Sequence, residues 1–221
     1  MKKVLFSILF VVVTSLVNAQ SPFSFGVNGG LDYNYNLRHF GLATDNDFYR
    51  IKPDYNVGVD VGLRLNDKAR LRFEMKYVKV GIGHNNSGYS SANPTDIVKT
   101  EIRIYNFDYN LRFDYKIASF KKLDIFASPA LKLEKNMTDY EASTLVNGDV
   151  NTSHLFKSFS NSDYNRSMTA GALGMLFKYN LSSHWGITLT PEYTYFFNTL
   201  YDKNSNTLQR FGTNFGIEWK L

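Results

Sequence analysis

Residues 54–66 alternate strictly between oily and polar. Tyr55, Val57, Val59, Val61, Leu63 and Leu65 fall on one side of an extended chain; Asp54, Asn56, Gly58, Asp60, Gly62, Arg64 and Asn66 fall on the other. Side chains of a strand point to opposite faces with period two, so this segment has one apolar and one wet face. The alternation recurs at 22–35, 69–82, 101–116, 122–134, 167–180, 184–197 and 209–221, which makes eight segments in all.

The connections between these segments alternate in length. They are short at Asn66 to Lys68, Ile117 to Lys121 and Leu181 to Ser183, and longer elsewhere, with the longest at Lys135 to Arg166. Short turns at one end and long loops at the other predict an all-β, eight-stranded, antiparallel, up-and-down transmembrane β-barrel, with lipid outside and a polar interior. Closure is an energetic requirement, because each backbone group left unpaired in hydrocarbon costs several kcal/mol. Eight strands leave an interior just wide enough for side chains to fill.

The chain carries 15 Tyr and 18 Phe. In the barrel orientation Tyr33, Tyr35, Tyr55, Tyr77, Tyr105, Tyr193, Tyr195 and Phe211 fall at the loop end. Phe23, Tyr115, Tyr179, Trp185 and Trp219 fall at the turn end. Neighbouring strands run in opposite directions, so this sorting by height is independent of the alternation, and it predicts two interfacial belts. Four places break the pattern, and in the first the alternation of 69–82 fades beyond Val78. Ile102 and Ile104 are out of phase with Tyr105 to Tyr115, which predicts a bulge or the end of membrane embedding near Ile104. Pro129 is awkward in a central strand. Ala170, Ala172 and Leu176 make the wet face of 167–180 less polar than the others.

Residues 1–19 read as a secretory signal peptide. Lys2 and Lys3 precede a nearly unbroken apolar run from Val4 to Val13, and Val17-Asn18-Ala19 supplies small residues for cleavage before Gln20. The barrel domain is then 20–221. Removing the leader takes away two lysines and no acid, lowering the formal net charge from +5 to +3. The remaining cations are interleaved with acids, so a nucleic-acid partner is not expected. Cysteine is absent, so the backbone ladder and side-chain packing must hold the fold.

The inward faces carry Asp60, Arg72, Glu74, Lys76, Asp108, Arg112, Lys132, Glu192 and Glu218. Both signs occur on several strands, which suits a salt-bridged, hydrated plug. The alternative is a gate or ion path whose charges swap partners. Arg72, Glu74, Asp108, Arg112 and Glu192 lie near mid-strand, away from both belts, and are expected to form one interior charge network, since a lone charge screened from bulk water is costly and a paired one is tolerated. No residue set stands out as catalytic, cofactor-binding or metal-binding. His39 and His84 are expected in loops, His154 in the longest loop, and His184 at the start of a strand; none stands beside an inward Ser at the loop-end rim. Asp45, Asn46 and Asp47 lack the spacing of a calcium loop.

The first strand, Phe25-Gly26-Val27-Asn28-Gly29-Gly30, resembles the PorT-like family of small bacterial outer-membrane β-barrels. So do the aromatic strand Tyr105 to Tyr115, the segment Phe126-Ala127-Ser128-Pro129-Ala130 and the terminal Phe215-Gly216-Ile217-Glu218-Trp219-Lys220-Leu221. The resemblance covers the whole chain after the leader. It implies a place in the outer membrane of a Gram-negative bacterium, contact with outer-membrane lipid and no catalytic residues or cofactor. It also implies a C-terminal insertion signal, with Trp219 and Leu221 on the lipid face read by the barrel insertion machinery. Some relatives are implicated in protein secretion, so secretion-complex proteins or an extracellular ligand are the expected partners. The expected role is that of a structural or interaction barrel. A narrow solute or ion channel and a lipid-modifying enzyme are the alternatives.

Overall fold

The computed structural model of the chain describes residues 22–35, 49–51, 54–85, 97–145, 147–153, 167–198 and 209–221. The leader, its cleavage site, His39, Asp45 to Asp47 and His154 lie outside the described residues. Ten strands are present among those described: β1 (Phe23–Tyr35), β2 (Tyr49–Ile51), β3 (Asp54–Arg64), β4 (Ala69–Asn85), β5 (Ile97–Phe120), β6 (Leu123–Leu145), β7 (Val150–Ser153), β8 (Ser167–Asn180), β9 (Trp185–Phe196) and β10 (Gln209–Lys220). Eight of them close the barrel. β1 pairs antiparallel with both β3 and β10, and the ladder runs on through β4, β5, β6, β8 and β9. The two additions are short: β2 lies against the upper part of β4, and β7 against the upper part of β6.

The molecule is built inside out. Buried side chains are mostly polar or charged, whereas Leu173 is 70% exposed, Leu131 65% and Phe215 63%. On β3 the alternation appears directly: Asp54, Asn56 and Asp60 are buried while Tyr55, Val57, Val59 and Val61 face outward. An isolated barrel in water would hide its oily side chains; this surface is one for which hydrocarbon is the solvent.

Two of the short connections, 65–68 and 181–184, are one residue longer than expected, and the third is shorter. The link between β5 and β6 is only Lys121–Lys122, because β5 runs on to Phe120, further than the alternation suggested, and Lys121 takes a positive φ of 49° to make the turn. At the other end the correction is larger. The segment from Lys135 is not loop: β6 continues to Leu145 and turns back as β7, with Gly148 at φ 88° in the turn. His84, expected in a loop, lies on β4, where it pairs with Thr100 of β5, a strand that begins at Ile97, four residues before the start the alternation suggested. These upper segments carry mixed or polar sequences and so lack the period-two signal, yet their neighbours offer a ladder to continue.

The phase break at Ile104 has a different cause from a bulge in its own strand. β5 keeps its alternation, and Ile104 simply points inward, 2% exposed. The register shift sits on the partner strand: Tyr105 pairs with Thr138 and Asn106 with Asn136, leaving Met137 as the extra residue. Pro129 does sit in a central strand. Opposite it the β5–β6 ladder is interrupted between Arg112–Ala130 and Tyr115–Ala127, as a residue without an N–H requires. Pro191 of β9 does the same to the β8–β9 ladder, between Gly174–Glu192 and Phe177–Leu189.

Candidate functional site

Three layers fill the lumen. In the middle layer all five residues expected to interact lie on inward faces and are joined. Arg112 Nε donates to Glu74 Oε2 at 2.6 Å, and its Nη2 donates to Glu192 on the opposite wall. Arg72 Nη1 lies 3.0 Å from Glu74 Oε1. Lys132 bridges Glu192 and, at 3.6 Å, Asp108. Lys76 Nζ is a further cation on Glu74, at 3.4 Å.

The sequence grouping missed how far this network extends. Arg72 Nη2 donates to Asp114 Oδ1 at 3.3 Å, and Ser128 Oγ donates to the same oxygen at 2.6 Å. Asp114 then takes Arg70 Nε at 2.7 Å, and Arg70 Nη1 reaches Glu218 across the lumen at 2.6 Å. Lys178 also contacts Glu218. An unbroken chain of opposite charges therefore runs from Lys178 at the turn end to Asp108. Parity alone would have found Arg70, Asp114 and Lys178, because they share the inward face of residues already chosen. What parity could not show is which strands meet across the interior.

The loop-end layer has its own pair. Arg210 of β10 grips Glu134 of β6 through two nitrogens, Nη1 at 2.8 Å and Nη2 at 3.2 Å, and its Nε donates to Asn34 at 2.9 Å. Its guanidinium carbon lies 5.2 Å from the centre of the Phe196 ring. Around this pair the inward positions turn apolar: Val78, Val80 and Ile104 on one wall, Met168, Ala170 and Phe196 on the other, all buried. Bidentate carboxylate pairing suits Arg at such a place, where a Lys would hold one oxygen only.

Small residues make room for these long ones. Ala130 of β6 is the cross-strand partner of Arg112 on one side and of Ala172 on the other, and both alanines and Ser128 are buried. Of the weakly polar face of β8 noted in the sequence, Ala172 lies here and Ala170 packs with Met168 and Phe196. On the β1–β3 wall the acids are held by amides instead: Asn28 Nδ2 donates to Asp60 at 2.9 Å and Asn56 Nδ2 to Asp32 at 2.8 Å.

Outside the lumen the rim is uneven. β4, β5 and β6 rise beyond the other staves at the loop end and carry β2 and β7 on their flanks, so one side of the barrel continues upward as a wall. The eight residues 97 to 104 of β5 alone account for roughly 25 Å of rise along the strand. At the turn end Trp219 and Leu221 face outward, and Trp219 stacks on Trp185 with ring centres 6.2 Å apart. His184 lies in the exposed turn before β9 rather than on a strand, hydrogen-bonded to its neighbour Ser183 at 2.9 Å. Among the described residues no cluster of His, Asp and Glu has the geometry to hold a metal.

A family model described as "Outer membrane protein beta-barrel domain" matches residues 18–202. No curated protein matches the sequence. Among solved structures the fold is similar to Neisserial surface protein A (NspA), with 13% identity, a TM-score of 0.50, and 91% of this chain and 98% of that one covered. It is similar in the same degree to OprG from Pseudomonas aeruginosa, with 13% identity, a TM-score of 0.50, and 90% and 95% covered. Closed ladder, inverted surface and family match agree: the chain belongs to the outer membrane protein beta-barrel domain family and resides in the outer membrane of a Gram-negative bacterium.

Proposed function

We propose that this barrel is a non-conducting, non-catalytic scaffold that presents its raised wall to a partner at the cell surface, after removal of the leader at residues 1–19. The observation that carries this reading is the pairing of a filled lumen with an extended rim. A strand needs about 9–11 residues to cross the membrane, yet β5 has 24 and β6 has 23. Most of the surplus rises at the loop end, beyond the staves of β1, β3, β9 and β10, where it adds nothing to insertion. Inside, ion pairs tie β5 to β9, β4 to β10 and β6 to β10, each across the lumen rather than along the ladder. A scaffold benefits from such stiffening; a pore would have to break it.

The PorT-like resemblance and its link to protein secretion make a secretion-complex protein the first partner to seek, with an extracellular ligand as the other. Crosslinking through the raised wall in intact cells, followed by pull-down, is the direct search. Planar-bilayer recording tests the scaffold reading itself. The purified barrel is expected to give no stable conductance steps, and regular steps would replace this reading with that of a narrow channel.

A further inference from the structure

We propose that the turn end of the barrel, facing the periplasm, holds a binding site for a small phosphate-bearing anion. A cavity of about 630 Å³ opens there, within the size range of ligand pockets. It is blind, because its inner end is occupied by Arg70 and the ion pairs that follow it into the lumen.

The charges lining it are not balanced. Glu218 is already committed to Arg70 and Lys178, and Asp124 to Lys116 at 3.3 Å. Asp67 and the terminal carboxylate of Leu221 are the remaining acidic groups of the lining, against the three cations Arg64, Lys68 and Lys220, for which no ion pair is formed among the described residues. Lys220 has only the Asn180 amide oxygen, at 2.8 Å.

Two further observations point to an anion. Arg64 and Arg70 are direct cross-strand partners on the inward face of β3 and β4, and the two acids that offset this like-charge pair, Asp114 and Glu218, are both held by Arg70 and not by Arg64. Arg70 is 7% exposed, and its Nη2 has no hydrogen-bond acceptor. Of the buried polar atoms left unpartnered among the described residues, it is the one belonging to a residue of this cavity. A buried charged donor without an acceptor is expensive, and an anionic oxygen brought down to the guanidinium would satisfy it. The Phe126 ring, 5.2 Å from the Arg70 guanidinium carbon, gives the floor one apolar surface. Phosphate fits because it offers several oxygens to several separate cations at once.

Titration of the full barrel in a neutral detergent with inorganic pyrophosphate, followed by calorimetry, tests the site. Saturable binding that weakens with added salt is expected. Arg64→Gln and Lys220→Gln should each weaken it about ten-fold, the loss of one charge-assisted hydrogen bond. Because Arg70 also anchors two ion pairs, Arg70→Gln is not relied on; Arg64 and Lys220 are solvent-accessible, and their variants should keep the wild-type heat-modifiable gel band. Absence of saturable binding, or unchanged affinity in the Arg64→Gln/Lys220→Gln double variant, overturns the proposal. Repeating the titration with short-chain phosphatidylglycerol identifies the source of the phosphate: competition assigns the site to a periplasmic-leaflet headgroup, and no competition to a soluble phosphate ester.

Discussion

Arg112 is the residue on which the interior turns. It is fully buried and joins Glu74 on one wall to Glu192 on the other. Arg112→Ala leaves two buried carboxylates short of a partner, a loss of about 3–5 kcal/mol in a dry core and less in a hydrated lumen. The folded gel band should therefore be lost at a lower temperature, whereas Lys122→Ala in the exposed turn should leave it unchanged. Equal behaviour of the two would remove the stiffening role from the network. Gly212 offers a second test. A Cβ added there would lie 2.1 Å from Asp32 Oδ1, the carboxylate held by Asn56 through its other oxygen. Gly212→Ala must push that acid aside, at a cost of about 1–3 kcal/mol, again read from the melting of the folded band.

The elements divide into staves and additions. β8 pairs with β6 only from Leu123 to Lys135, so the part of β6 above Lys135 does not help close the barrel. Replacing residues 139–165 by a short Gly-Ser linker should leave the barrel heat-modifiable and inserted, and should abolish partner crosslinking if the raised wall is the contact surface. Loss of folding would instead make the wall part of the barrel's stability. The proline breaks illustrate the same division. Pro129 and Pro191 each interrupt one ladder and remain paired on the other side, Pro129 with Leu173 and Pro191 with Thr213. Closure tolerates a missing bond where neighbouring pairs hold the register.

For the molecule as a whole, the seam between β1 and β10 is the joint that makes a barrel of a sheet. It runs from Ser24–Lys220 to Tyr35–Gln209. Deleting Phe215 to Leu221 strips its turn-end half and exposes backbone groups that cost several kcal/mol each in lipid. The truncated chain should remain in the periplasm without a heat-modifiable band. The double variant Trp219→Ala/Leu221→Ala keeps the backbone ladder and so separates closure from addressing. It should refold in detergent like the wild type but accumulate in the periplasm in cells. Normal insertion in cells would end the assignment of Trp219 and Leu221 as a signal.

Much of this was legible in the chain itself, because a lipid-facing barrel repeats one simple rule. Period two, once applied, sorts Val57 from Asn56 and Leu111 from Arg112 with no knowledge of what lies across the lumen, and the parity of loop lengths orients the result. That rule holds only where lipid is on one side and the polar interior on the other. Above the bilayer both faces of a strand can be wet, so the alternation fades and β6 beyond Lys135 read as loop; only the neighbouring ladder shows that it continues. The rule also assigns a face and no partner. Arg112 and Glu192 are 80 residues apart and three staves removed from each other, as are Arg70 and Glu218 at a separation of 148. Strand tilt and the narrow diameter of the closed barrel bring them together, and these are properties of the closed sheet rather than of any segment in it.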